Sequence, residues 1–166
     1  MRVVNALPER RVLGLHSPEI KAVAKQLSRE GGEVVMPDGT HRICTNGAEV
    51  IRAFEAAPSE SLCYEETVIW GYLINLEKRS LDERLAMLGR YVPVLDNWAV
   101  CDSYCAHAKW MLRADKEALW RFWSVGLTLK ASLMCALRWL WRCVIYSTMS
   151  GSTKFLSAST LSISIA

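Results

Sequence analysis

Asp102 and Trp98 combine a carboxylate with an indole one helical turn before it, a pair of residue types that could act together chemically. Both residues belong to VPVLDNWAVCDSYCAHAKW, a stretch that is otherwise mostly apolar or small. Residues four apart share one side of a helix, so both side chains would project into the same groove. There a carboxylate can stabilise a developing positive charge and orient a water molecule, and an indole face attracts a cation. The simpler alternative is that Trp98 is a core aromatic residue and Asp102 a helix-surface or hydrogen-bonded polar residue.

A metal site is the second chemical interpretation, because Cys101, Cys105 and His107 lie close together in the chain. A fourth ligand at a suitable spacing is missing, since His41 and Cys44 belong to a separate loop. Buried structural thiols are therefore the better interpretation, and we expect neither a metal nor a cofactor.

Length, charge and the N-terminal residues limit the broad class of protein. A chain of 166 residues is long enough for one domain with a sizeable core. Its 20 basic and 17 acidic residues give a net charge of +3, which supports only weak attraction to a polyanion. Charged and polar residues recur from Arg2 to Arg11, so we expect no signal peptide, a cytoplasmic location and six reduced cysteines.

Periodicity and capping signals predict a series of short helices. Ser17 as N-cap with Pro18 opens the first helix, and a second begins near Asn46 and stops before Pro58. Further helices are predicted from Ser59, from the Ser80–Glu83 capping box, from close to Asp96 and from Asp115. Pro37-Asp38-Gly39 predicts a small hairpin or ordered loop inserted between helices.

Short helices joined by tight turns suggest antiparallel pairs stacked side by side, as in solenoid repeats. No strict internal repeat is present in the sequence. The fold class predicted from these patterns is all-α.

Three stretches resemble, in the same order, segments of the DNA alkylation repair family, the HEAT-like repeat DNA glycosylases. VLGLHSPEIKAVAKQL is similar to the opening helix of that family, and YEETVIWGYLIN is similar to its Y-E-E-x-x-x-x-G-x-L-I helix. VPVLDNWAVCDSYC resembles the segment in which a Trp precedes an Asp by four positions. The likeness covers residues 12 to 123, with residues 31–57 diverged and His16 where a basic residue is common.

The resemblance implies HEAT-like helical pairs that form an α-α superhelix, and it implies a DNA repair glycosylase. Such an enzyme hydrolyses the N-glycosidic bond of purines alkylated at N3 or N7. The alkylated base is already cationic, so the bond breaks without a general acid, and the oxocarbenium sugar needs a nearby negative charge.

By the same resemblance, Asp102 matches the catalytic aspartate and Trp98 the aromatic residue that lines the DNA-facing cleft. Lys78 and Arg79 are candidate phosphate contacts, although a charged connection between helices is usually only solvated. The implied partner is double-stranded DNA with alkylated bases. We expect a monomer that needs no cofactor or metal and does not bind a membrane.

The C-terminal part of the sequence departs from that pattern. No Asp or Glu follows Glu117, and the family's arginine-bearing helix, close to E-F-D-V-R-F-A-V-V, is missing. Lys130, Arg138 and Arg142 interrupt the apolar tail before a membrane-spanning length of about 20 residues is reached. A single change of reading frame allows residues 131–142 to be reread as E-F-D-V-R-L-A-V-V-V-E.

We therefore hypothesise that residues 1–123 are the N-terminal portion of a HEAT-like repair domain and that residues 124–166 are an out-of-frame tail. The nucleotide sequence of the coding DNA tests this hypothesis. The alternative function is a catalytically inactive helical-repeat remnant that acts as a weak DNA-binding or protein-interaction module.

Overall fold

The structure, a computed structural model, describes residues 10–126, except for the side chains of residue 120 and residues 123–126. The elements in this part are α1 (Ser17–Glu30), β1 (Gly32–Val35), β2 (His41–Cys44), α2 (Gly47–Ala56), α3 (Tyr64–Leu76), α4 (Leu81–Tyr91), α5 (Trp98–His107) and α6 (Lys116–Gly126). The described part is mainly α-helical, as predicted. From residue 127 onward, the hypothetical out-of-frame tail lies outside the described residues.

Three of the predicted helix starts are confirmed by side chains that cap the first turn. The Oδ1 atom of Asn46 accepts the Glu49 amide at 3.1 Å, and Oδ1 of Asp115 accepts the Ala118 amide at 2.8 Å. Ser80 forms the expected capping box, in which its amide donates to the Glu83 carboxylate at 3.0 Å. These local bonds satisfy amides that have no partner within the helix.

Two predicted helix starts were wrong in position. The N-cap of α1 is His16 rather than Ser17, and the His16 amide donates to the Glu19 carboxylate at 2.7 Å. Ser59 opens only a short 3₁₀ turn, and α3 begins at Tyr64. The reason is a capping box that the sequence interpretation overlooked, in which the Cys63 amide donates to the Glu66 carboxylate at 2.7 Å.

The predicted hairpin is confirmed. β1 and β2 pair antiparallel, with a register that runs from Gly32 opposite Cys44 to Val35 opposite His41. Gly39 turns the chain with a φ of +80°, a value that favours glycine.

The helices α1, α3 and α5 lie side by side with α3 in the middle, and they run in the same direction. At one end, the amides of Leu13 and Gly14, just before α1, bond to Glu65 near the start of α3. Further along, Asn75 of α3 donates to the carbonyl of Tyr104 of α5 at 3.2 Å. Arg10 contacts both Thr67 of α3 and Asp96 before α5, which aligns the starts of these two helices.

The helices α2 and α4 form a second layer against α1 and α3, and they run in the opposite direction. A Cβ on Gly47, the first residue of α2, would lie 2.9 Å from the Cα of Ser28 near the end of α1. Arg84, early in α4, donates to the carbonyl of Ile74 late in α3. Helix α1 is thus followed by its antiparallel partner α2, and α3 by α4. The last helix, α6, packs on α4.

The core between the layers centres on α3. Tyr91 of α4 is fully buried, and its hydroxyl donates to the carbonyl of Thr67 at 3.1 Å. Its ring packs against Trp70 at 5.3 Å and against Tyr104 at 5.4 Å, measured between ring centroids. These aromatic contacts fix α3, α4 and α5 relative to one another, and thereby position the residues of α5.

Candidate functional site

Trp98 and Asp102 both lie on α5, at its first residue and one turn later. The helix begins there because Oδ1 of Asn97 accepts the Val100 amide at 3.0 Å. Trp98 is 47% exposed, and Asp102 is half-buried. The prediction that Trp98 and Asp102 lie one turn apart on a helix is confirmed, and Trp98 is not a core residue.

The side of α5 on which Asp102 lies follows from the packing of its neighbours. Tyr104 is buried and packs on Tyr91 of α4. At 100° per residue, Asp102 and Ala106 lie about opposite Tyr104 around the helix. Asp102 is therefore on the side of α5 that faces away from α4.

The same rotation of 100° per residue applies to α3. On that helix, Thr67, Trp70 and Gly71 face Tyr91. Tyr72 and Leu76 lie on the opposite side of that helix. We call this side of α3, where the layer of α1, α3 and α5 faces away from α4, the distal face, and its members on α3 are Tyr72 and Leu76.

Lys78 and Arg79 lie in the connection between α3 and α4, and both are exposed. Arg79 forms ion pairs with Glu77 at 3.5 Å and with Glu83 at 3.6 Å. This connection follows the end of α3, whereas Trp98 begins α5. Because α3 and α5 run in the same direction, the structure brings Trp98 and Asp102 together and leaves Lys78 and Arg79 at the far end of the layer.

Arg84, which follows this connection in the first turns of α4, is engaged inside the protein. Its guanidinium donates to the carbonyls of Ile74, Glu77 and Arg79, which closes the C-terminal end of α3. It also lies over the Trp110 ring, 5.0 Å from the ring centroid. Arg84 therefore stabilises the fold rather than offering its charge to a ligand.

A cavity of about 330 Å³ opens between α1, α3 and the end of α5, and the sequence interpretation did not predict it. Tyr72 and Leu76 are among its walls, so it belongs to the distal face. Its lining residues are Lys21, Ala24, Lys25, Tyr72, Asn75, Leu76, His107 and Lys109. Three lysines and a histidine thus surround a space whose lining includes no carboxylate.

The aromatic and amide groups in this cavity are held in place by hydrogen bonds and ring packing. His107 packs edge-on against Tyr72 at 4.8 Å, and its Nδ1 donates to the carbonyl of Ser103 at 2.8 Å. The Oδ1 of Asn75 accepts the indole N–H of Trp110 at 2.9 Å. Burial raises the pKa of the Tyr72 phenol, as does the nearby Tyr64, so Tyr72 stays a neutral hydroxyl near pH 7.

One signal for this cavity was present in the sequence. Lys21 and Lys25 are four positions apart and therefore share one side of α1. Their partners on α3 and α5 come from distant parts of the chain, so no local pattern joins them.

The cysteines agree only in part with the expectation of reduced thiols. Cys44, Cys63 and Cys105 are buried and reduced. Burial raises the pKa of Cys63 to about 11, so its thiol stays protonated and unreactive near pH 7. The expectation was wrong for Cys101, which is disulfide-bonded.

Among residues 10–126, no three His, Cys, Asp or Glu side chains form a group that could hold a metal ion.

Comparison with protein-family models, with curated proteins and with solved structures finds no match for this chain. Within the described part of the chain, none of the helices has the length and apolar character needed to cross a bilayer.

Proposed function

We propose that this chain is a DNA repair glycosylase that hydrolyses the N-glycosidic bond of purines alkylated at N3 or N7. Asp102 would stabilise the developing sugar cation and position the attacking water, and Trp98 would line the site. The observation that carries this proposal is that Asp102 lies one turn from an exposed indole on α5, a helix held in place by the packing of Tyr104 on Tyr91.

The packing of the helices supports the HEAT-like part of the proposal. Parallel neighbours α1, α3 and α5, with antiparallel partners α2 and α4 behind them, are the arrangement expected of stacked helical pairs. In such a stack one layer of helices offers a continuous surface to a long ligand such as duplex DNA. The distal face belongs to that layer.

The chemistry asked of Asp102 is electrostatic. An alkylated purine leaves as a neutral base, and the positive charge that remains develops on the deoxyribose. A carboxylate held by a rigid helix beside that sugar stabilises the charge without having to reorganise, and the exposed Trp98 face adds a cation-π attraction. A cytoplasmic monomer is the form in which we expect the enzyme to act.

The test is release of free base from duplex DNA that contains 7-methylguanine. We expect the purified chain to release the base faster than the DNA does alone. Asp102→Asn keeps the size of the side chain and removes its charge, so it should slow release by about a hundredfold or more. Asp82→Asn, which changes an exposed carboxylate on α4, is the matched control and should leave the rate unchanged.

Two outcomes would contradict this mechanism. Equal release by wild type and Asp102→Asn would remove Asp102 from the reaction. Release by wild type no faster than spontaneous depurination would reject the glycosylase and favour the second candidate.

That second candidate is an inactive helical-repeat remnant that binds DNA weakly or serves as a protein-interaction module. It is favoured by one observation, the absence from the sequence of the arginine-bearing helix expected after residue 123. A remnant that binds DNA should bind undamaged duplex with an affinity that falls steeply with salt, whereas a protein scaffold should bind no duplex even at low salt.

A further inference from the structure

We propose that the cavity between α1, α3 and the end of α5 is a phosphate-binding site that holds one or two backbone phosphates of duplex DNA. The assignment to DNA, rather than to another phosphate ligand, rests on the proposed function. The residues that would make the contacts are Lys21, Lys25, Lys109 and His107.

The charge of the cavity is the first argument. Lys21 and Lys25 approach it from α1 and Lys109 from the turn after α5, and none of these lysines forms an ion pair with another residue in the range 10–126. Several cations elsewhere in the described part are engaged, as Arg10, Arg79 and Arg84 illustrate. Three ammonium groups around a space lined by no carboxylate attract an anion.

The polar groups between the lysines provide the second argument. Because Nδ1 of His107 donates to the Ser103 carbonyl, the other ring nitrogen, Nε2, remains for a ligand. The Tyr72 ring holds the imidazole edge-on, and Asn75 is fixed by Trp110 and Tyr104. These contacts restrict the side chains of His107 and Asn75 before a ligand arrives.

The shape favours a backbone phosphate over a whole nucleotide. The cavity lies at the small end of the range for small-molecule pockets. The described residues around the cavity include lysines, which bind phosphate as point charges. They include no pair of aromatic rings between which a base would stack. A phosphodiester at the rim satisfies this set of groups.

The experiment measures binding of a short, fluorescently labelled, undamaged duplex by anisotropy at several salt concentrations. We use the Lys25→Gln/Lys109→Gln double variant, because both side chains are exposed and can change without disturbing the core. The slope of log affinity against log salt should become shallower by about one unit for each phosphate that the variant no longer neutralises. Lys25→Arg/Lys109→Arg, which keeps both charges, should retain the wild-type slope.

Lys116→Gln is the matched control, since Lys116 is an exposed lysine on α6, outside the distal face. Its slope should equal that of wild type. A double variant whose slope and affinity match wild type overturns the proposed site. An equal loss with Lys116→Gln also overturns it, because the effect would then come from net charge alone.

Inorganic phosphate, titrated calorimetrically, separates the two sources of the ligand. If the double variant loses phosphate binding and keeps the wild-type affinity for duplex, the site takes free phosphate and the assignment to DNA is wrong.

Base release tests the glycosylase separately. A shallower slope of the double variant, without base release by wild type, would uphold the phosphate site and reject the enzyme. Base release by wild type, with an unchanged slope of the double variant, would uphold the enzyme and reject the phosphate site.

Discussion

Glu65 and Glu66 of the YEETV stretch have different structural roles at the start of α3. Glu66 closes the capping box with Cys63. Glu65 is buried, with 1% of its surface exposed, and its two oxygens accept the amides of Leu13 and Gly14 at 2.9 and 2.8 Å. A motif that contributes to the family resemblance is thus explained here by local structure, because these carboxylates hold the N-terminal segment and begin a helix.

Stability should depend on pH through Glu65. Burial disfavours its charged form, but the amides of Leu13, Gly14 and Leu15 together outweigh this and lower the pKa of the carboxyl. A lowered pKa in the folded state means that the stabilisation is present above the unfolded pKa of about 4.3 and is lost as pH falls through the folded value.

We therefore expect Glu65→Gln to lower the free energy of unfolding by about 2 kcal/mol at pH 7 and to make stability below about pH 4.3 less dependent on pH. Urea denaturation at a series of pH values measures both effects. Glu60→Gln changes an exposed carboxylate and should reproduce the wild-type curve. A Glu65→Gln protein with wild-type stability at pH 7 would contradict this account.

At the scale of elements, α3 can pack closely on its neighbours because of Gly71. A Cβ at this position would lie 2.4 Å from the hydroxyl of Tyr91 and 3.2 Å from the ring of Tyr104. Both tyrosines are buried, so they have little room to move. The glycine therefore sets the distance between α3 and the aromatic core, and with it the position of α5.

Gly71→Ala should lower the free energy of unfolding by about 1–3 kcal/mol, because the added methyl overpacks the core. Gly89→Ala is a matched comparison, since it lies in α4 and, among the residues that the structure describes, its Cβ would meet only Phe122, at 3.8 Å. There the gain in helix propensity should stabilise the protein by about 0.5–1 kcal/mol. Thermal and urea denaturation measure both, and equal effects of the two substitutions would show that Tyr91 does not restrict α3.

At the scale of the whole described part, the chain before α1 joins distant elements. Arg10 has only 5% of its side chain exposed, and its guanidinium pairs with Asp96 and donates to Thr67 and to the carbonyl of Leu62. One side chain thus links the N-terminal segment to the starts of α3 and α5. This link keeps α5, and therefore Trp98, in register with the rest of the layer.

Asp96→Asn should lower the free energy of unfolding by about 3 kcal/mol, since it removes the carboxylate charge that pairs with a buried guanidinium. Arg79→Gln breaks surface pairs of similar chemistry and should cost less than about 1 kcal/mol. Urea denaturation compares the two variants. A similar small effect for both would mean that the Arg10–Asp96 pair does not hold the elements together.

The local signals in the sequence predicted most of the helices and the hairpin. Asn46, Ser80 and Asp115 were identified correctly because a capping bond joins residues only three positions apart. The spacing of Trp98 and Asp102 was sufficient to place them on one side of one helix. The start of α3 was predicted too early because a cysteine, Cys63, serves as its N-cap, and cysteine is not among the usual capping residues.

Only the tertiary structure decided which groups meet across the layer. The cavity of Lys21, Tyr72 and His107 joins three helices, and no periodicity within one segment encodes that meeting. It also decided that Arg84 is used internally while Lys21, Lys25 and Lys109 are not paired within residues 10–126. The physical reason is that caps and helix faces depend on neighbours in the chain, whereas a binding site depends on contacts between segments far apart in it.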